Sequence, residues 1–510
     1  MPTRTDLLLA VSAGLFLLPG LQGWIESVRA RLDNLPISGW VLPQHDRAHS
    51  TEPPGPAPAV QTAPDETPTG IPSTTVYGEL IVVPSHPYEA FLYDVYTPTL
   101  QTTFKKLAWE AYEQAPPKLI RKRLTGVVLE NAYLKLIVLP ELGGRIYSCV
   151  FKPTGHNEFY RNPVLKPTHW GPAEQGWWLA AGGMEWCFPV EEHGYETAVP
   201  WQFSTLQTAE GITVTVWNAP SAAQLRVKID VHLPKDRAYF AITPHLENPT
   251  ARSMDYKFWI NAMLAPGGTN APSNRLRFIF PTDRMTIHSL DQRWSGLPGP
   301  GEGVTWPTLG GRDLSVLGNW PYYLGCFERP AAQNDFMGVY DAAIEEGIVR
   351  VFPSAIARGA KAFAFGYGDG ALQPELWTDG RSSYVEIHGG VAPTFADYAT
   401  LAAGDELTWT EFWYPVTDIG GFVSANQDAA LNLETSADGV HVGVATTFPY
   451  QDAVLSVRHR ADNTRLLYEV IPSLDPARPH RAGPIPTSGT VVTDLAVTLT
   501  TSEGQPIISY

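Results

Sequence analysis

Leu225, Val227, Ile229, Val231 and Leu233 alternate with arginine, lysine, aspartate and histidine. A period of two marks a strand with one face in a core and the other in water. The same texture fills most of the chain. Ile212 to Trp217 reads ITVTVW and is mostly β-branched. Val127-Val128-Leu129 and Leu134 to Val138 flank a short link, Glu130 to Tyr133, which predicts a hairpin. Pro and Gly recur at the spacing of β-turns. Thr103 to Glu113 is the best helix candidate in the body, and it is short. Neither a helical repeat of about 34 residues nor a propeller repeat is present. The pattern predicts an all-β chain built mainly of antiparallel sheet.

The texture changes at both ends. Leu7 to Leu18 is uncharged, follows Arg4 and precedes Pro19-Gly20. Its length suits a secretory h-region and falls short of a membrane span of about 20 residues. Residues 1–41 are therefore expected to be a signal peptide or weak anchor with its flank; a fortuitous apolar stretch is the alternative. Residues 42–75 are rich in Pro, Thr, Ala and Ser and read as a disordered linker. Together these segments predict an extracytoplasmic protein, secreted or tethered to a membrane, with a cytoplasmic one as the alternative. Residues 76–420 hold the main β-domain. Beyond Pro415 to Gly421, the strands Val440 to Val444, Leu455 to Val457 and Leu495 to Leu499 predict a small accessory sandwich over 421–510.

Composition narrows the classes. The 510 residues are 44% hydrophobic and 17% charged, as in a globular chain. A net charge of −16 without a basic cluster argues against nucleic acid and anionic lipid as partners. Cys149, Cys187 and Cys326 form neither a close pair nor a disulfide framework. No metal site and no cofactor are expected. Gly366 to Gly370 lacks the spacing of a phosphate cradle, and Asp369 and Asp379 near glycines are a weak cation signal.

The chemistry concentrates in Trp177 to Trp201, WWLAAGGMEWCFPVEEHGYETAVPW. Trp177, Trp178, Trp186 and Trp201 stand among Glu185, Glu191, Glu192 and His193. Flat rings beside carboxylates and an imidazole suit a sugar: rings stack on pyranose faces and polar groups reach hydroxyls. A Trp-rich loop covering one end of a sheet is the plainer reading. A second candidate stretch is YVEIHGG, where Tyr384, Glu386 and His388 share one face of a strand.

Five segments come in series: LENAYLKLIVLPELGGRIYS (Leu129 to Ser148), FYRNPVLKP (Phe159 to Pro167), GWWLAAGGMEWCFPVEEHG (Gly176 to Gly194), KFWINAML (Lys257 to Leu264), and YVEIHGG followed by WTEFWYPV (Tyr384 to Val416). In this order they resemble a bacterial domain family of unassigned function, often fused to tetratricopeptide repeats. That family is similar to the galactose-mutarotase-like superfamily, which includes the aldose 1-epimerases. The resemblance spans roughly residues 75 to 420. It implies an antiparallel β-supersandwich with a sugar cleft on one face. It also implies a glutamate that takes the anomeric hydroxyl proton and a histidine that protonates the ring oxygen. Glu386 stands where the glutamate belongs. The histidine is expected after an asparagine, and here Asn261 is followed by Ala262.

His193 is the candidate substitute acid. Glu185, in GGMEW, is the other; with Glu386 it can form a glycosidase pair whose separation sets the stereochemical outcome. The expected ligand contacts are Trp178, Trp186, Glu192, Asn261, Trp259, Trp377, Arg145 and His388. Arg145 either reaches a hydroxyl or pairs with Glu141, and Trp413 is expected in the core. The chain is read as a carbohydrate-active protein of epimerase or hydrolase type. The alternatives are a glycan binder without turnover and a tethered scaffold.

Overall fold

The computed structural model describes residues 74–218, 224–486 and 491–510. The apolar run Leu7 to Leu18 and the linker up to residue 73 lie outside the described residues. No helix among those described is long and apolar enough to cross a membrane.

Two large sheets stack face to face to form a supersandwich. One has fourteen strands and the other nine. All described strand pairs are antiparallel except the single contact of Thr75–Ser85 with Arg161–Thr168. The expected hairpin is present: Ile120–Glu130 pairs with Leu134–Leu139. The stretch expected to be helical divides instead. Thr102–Leu107 is a strand, and only Trp109–Gln114 coils. The β-branched pair Thr102-Thr103 and the aromatic Phe104 favour the pleat, with Phe104 and Leu107 buried on it. Residues 424–510 build two four-stranded sheets around a core of their own that includes Leu431, Val442, Leu455 and Val497.

The middle of the large sheet runs, strand by strand, Arg284–Leu290, Leu324–Glu328, Gly359–Ala364, Val385–Gly390, Trp259–Leu264, Met184–Cys187, Arg145–Phe151. Alternation sorts these strands into two faces. Ile146, Met184, Trp186, Ile260, Ala262, Ile387 and Ala362 turn into the core between the sheets. Arg145, Glu185, Asn261, Glu386, His388 and Lys361 turn to the opposite face.

One ion pair is sealed between the sheets. Arg350, on Glu346–Val351 of the second sheet, donates from Nε and Nη2 to the two oxygens of Glu411 at 2.7 Å each. Trp409 Nε1 adds a donor at 2.9 Å. Both charged side chains are wholly buried. The guanidinium lies where a side chain on Gly389 would be, 2.0 Å from an added Cβ. Removing one partner of such a pair leaves the other charge buried and uncompensated, whereas replacing both with apolar groups is often neutral. Glu411→Ala should therefore cost about 3–5 kcal/mol in urea unfolding. The double variant Arg350→Met/Glu411→Met should recover most of that loss.

Candidate functional site

Four adjacent strands deliver the polar residues to one place. Glu185 pairs with Asn261 across Met184–Cys187 and Trp259–Leu264. Asn261 pairs with His388, and Met263 with Glu386, across Val385–Gly390. Lys361 lies beyond, opposite His388. Side chains two residues apart on these strands share a face, so the carboxylates end up as neighbours.

Asn261 joins them. Its Nδ2 lies 3.3 Å from Glu185 Oε1 and 3.3 Å from Glu386 Oε1. Those two oxygens therefore cannot be farther apart than twice that distance. The opposite amide orientation would set Oδ1 against two carboxylates, so Nδ2 faces them.

Glu185 is surrounded by donors. Arg145 Nη2 approaches Oε2 at 3.3 Å, Trp178 Nε1 donates to Oε2 at 3.2 Å, and His193 Nδ1 lies 2.7 Å from Oε1. Arg145 does not pair with Glu141. Its remaining donors go to the carbonyls of Leu142, Gly182 and Thr197. The adjacent Gly182 and Gly183 have φ of +85° and +80°, and an added Cβ would lie 2.4 Å from the carbonyl oxygen of Tyr160 and of Ile146, respectively. The glycine pair thus serves close backbone packing.

His193 comes from the loop after the Glu185 strand. Glu192, His193 and Gly194 all have positive φ, at 41°, 75° and 63°. Two non-glycine residues in the left-handed region are held there at a cost, a feature that collects at functional sites. The turn brings the imidazole back over Trp178, stacked at 4.0 Å and 19°. Among the described residues, Nδ1 to Glu185 is its one hydrogen bond. Its Nε2 has no partner yet is not among the sealed polar atoms, so that edge meets solvent.

Glu386 is held differently. His388 Nε2 donates to its Oε2 at 2.9 Å. Burial drives the His388 ring down to about 4, helped by the Lys361 ammonium, so it stays neutral. Burial also pushes the Glu386 carboxyl up, but the hydrogen bond from His388 and the nearby cations Lys361 and His193 bring it below its ordinary value. For His193, burial disfavours the charged form. The Glu185 carboxylate outweighs this, with Glu386 and Glu192 assisting, and lifts the imidazole above its ordinary value. The surroundings thus favour the charged form of both groups, the carboxylate of Glu386 and the protonated ring of His193.

Lys361 carried no sequence expectation. It is 1% exposed and sits 4.4 Å over the Phe395 ring. Glu192 lies 3.4 Å from Lys361 and 3.1 Å from His288. Desolvation opposes ionising Glu192, but Lys361 first and His288 second hold its carboxyl well below the usual range. The missed signal was a lone lysine in the apolar strand GAKAFA.

Other expectations need correcting. Trp186 does not wall the site: alternation turns it into the inter-sheet core, where Nε1 donates to the Gly144 carbonyl at 3.1 Å. Trp377 stacks on Phe365 at 3.9 Å in an aromatic cluster beside the site. Trp259 is fully buried, edge-on to Phe395 at 4.8 Å. Asn261 and His388 are also fully buried, so they position the carboxylates rather than contact a ligand. Ala262, where a histidine was looked for, points into the core away from Asn261. Trp413 is buried in the core. Asp379 is engaged by His86 at 2.6 Å and Lys166 at 3.0 Å. Among the described residues, no three His, Cys, Asp or Glu side chains are grouped to hold a metal.

Residues 104–416 match a family described as a domain of unknown function (DUF5107). The chain belongs to that family. Residues 424–510 match the second domain of YphG-like proteins. A TPR-domain containing protein from Parabacteroides distasonis superposes with a TM-score of 0.55 at 20% identity, covering 68% of this chain and 56% of that one. This DUF5107 chain thus spans little more than half of that relative, and the likeness shows a shared fold. A galactose mutarotase-like protein from Clostridium acetobutylicum aligns at 11% identity with a TM-score of 0.40, over 58% of this chain and 96% of that one. A galactose mutarotase related enzyme from Lactobacillus acidophilus gives 11% and 0.39, over 57% and 97%.

The electrostatics of this DUF5107 site can be read directly by NMR. The His193 imidazole should titrate above its ordinary value of about 6.5. Glu185→Gln should lower that midpoint, because the largest stabilising charge is gone. An unchanged midpoint would mean that Glu185 does not hold the proton on His193.

Proposed function

We propose that this chain binds the reducing end of a sugar over the Glu185–Asn261–Glu386 row and interconverts its anomers by proton transfer. The observation that carries this reading is one hydrogen-bonded network that joins Glu386, Asn261, Glu185 and His193. Glu386 is poised as a base, and His193, anchored by Glu185, as an acid. In the forward step Glu386 takes the proton of the anomeric hydroxyl and the C1–O5 bond breaks. His193 Nε2–H gives its proton to O5. Rotation about C1 and the reverse transfers close the ring as the other anomer. No redox or nucleotide cofactor enters this balance.

The contacts on Glu185 argue against its being the proton donor of a glycosidase. Arg145, Trp178 and Asn261 present only N–H groups to it, and His193 Nδ1 does the same when the ring carries both protons, the form that the Glu185 carboxylate favours.

Polarimetry on freshly dissolved D-glucose and D-galactose tests the reading. Glu386→Gln keeps the shape and removes the base, so turnover should fall by roughly 10²–10⁴. The free protein's kcat/KM should have two limbs. The acid limb falls as Glu386 gains its proton, below its ordinary value of 4.5 because its folded value is lowered. The alkaline limb falls as His193 loses its proton, above about 6.5 because its folded value is raised. A wild-type protein that binds sugar by calorimetry but turns none over would leave a glycan-binding module in place of an enzyme.

A further inference from the structure

A cavity of about 470 Å³ opens beside the aromatic cluster next to the carboxylate row. The proton-transfer chemistry above does not use it. Its wall includes Tyr367, Asp369, Trp377, Arg381 and Tyr384. The glycine-rich turn Gly366 to Gly370, which has no phosphate-cradle spacing, forms one side. Gly366, at φ +94°, packs against the Tyr322 backbone, where a Cβ would meet it at 2.7 Å.

Resting on the reading of the carboxylate row as an anomeric site, we propose that this cavity is a second sugar subsite, and that the substrate class is a reducing oligosaccharide rather than a free monosaccharide. Three observations carry it. The first is position. Tyr384 lines the cavity and precedes Glu386 by two residues on the same face. At about 3.3 Å per residue in a strand, that step is comparable to the length of one pyranose unit. Burial raises the Tyr384 phenol well above its ordinary value, and the charges of Glu386 and Glu185 add to it, which places the ring near both carboxylates.

The second is rigidity. Tyr384 is backed by Tyr160, stacked at 4.5 Å, and Trp377 by Phe365. The walls stand without a ligand, and the volume lies within the roughly 300–1,000 Å³ of small-molecule sites.

The third is chemistry. Tyr367 is 41% exposed and offers a free ring face for stacking. Among the described residues, the side chains of Asp369 and Arg381 make no hydrogen bond or ion pair. One acceptor and one forked donor of opposite charge beside aromatic rings suit a neutral polyol. A hydroxyl can donate to Asp369 and another accept from Arg381, so a neutral polyol uses both without bringing a charge of its own. Hydroxyls satisfy both.

The test compares D-glucose and D-galactose with maltose, cellobiose and lactose, by polarimetry for turnover and calorimetry for binding. The expected result is a kcat/KM for at least one disaccharide about tenfold above that of its monosaccharide, the effect of one good contact region. Tyr367→Ala and Arg381→Ala should each reduce that advantage while monosaccharide turnover stays as in the wild type. Monosaccharides turned over with no disaccharide preferred, or a preference that survives both substitutions, would overturn the subsite and leave the anomeric reading standing. If no sugar is turned over, the anomeric reading falls and calorimetry decides the cavity. Disaccharide binding weakened by Tyr367→Ala but not by Glu386→Gln would support it; no binding, or binding indifferent to Tyr367→Ala, would overturn it.

Discussion

The buried pair of Arg350 and Glu411 fixes how the two sheets meet. A guanidinium and a carboxylate, both sealed from water, tolerate only an arrangement that keeps each compensated. Two parallel donors from Arg350 and one from Trp409 meet that demand. The guanidinium occupies the space next to Gly389, so the strand Val385–Gly390 must come close and carry no side chain there. Glu386 and His388 project from the other face of that strand. The Glu386 carboxylate is thus backed, from behind its strand, by a contact between sheets.

In front of the sheet the same rule acts a second time. Two carboxylates lie side by side on a face otherwise packed with rings, and neither is left without donors. Asn261 bridges them, Arg145 and Trp178 serve Glu185, and His388 serves Glu386. The compensation is asymmetric. Glu185 is matched by a fixed cation and by His193, whose imidazole it lifts above its ordinary value. Glu386 is matched chiefly by a neutral imidazole, with the full charge of Lys361 further off. An acid and a base can therefore coexist within a chain of three hydrogen bonds. Their environments drive their proton affinities apart, the arrangement that the proposed proton transfer requires.

Much of this was legible from residues alone. Period-two alternation and β-branched runs announced antiparallel sheet, because side chains in a pleat must sort to two faces. Glu185, His193 and Glu386 stood out as polar groups amid aromatics, and all three meet in one network. The tryptophans were misjudged for a physical reason: composition cannot tell which face of a strand a ring takes. Trp178 and Trp186 lie eight residues apart, and the double glycine between them shifts the parity. One ring ends under His193 and the other in the inter-sheet core. His388 and Asn261 looked like ligand contacts because the sequence does not show depth. The helix expected over Thr103 to Glu113 yielded to a strand edge that buries Phe104 and Leu107.

The account stands on Glu386 and His193 facing the same anomeric centre, and a crystal structure of the protein soaked with D-galactose or D-glucose examines that directly. The account predicts the C1 hydroxyl within about 2.6–3.2 Å of a Glu386 oxygen and the ring oxygen turned to His193 Nε2. A sugar seated with C1 away from Glu386, or held by other residues while this row stays covered, would contradict it.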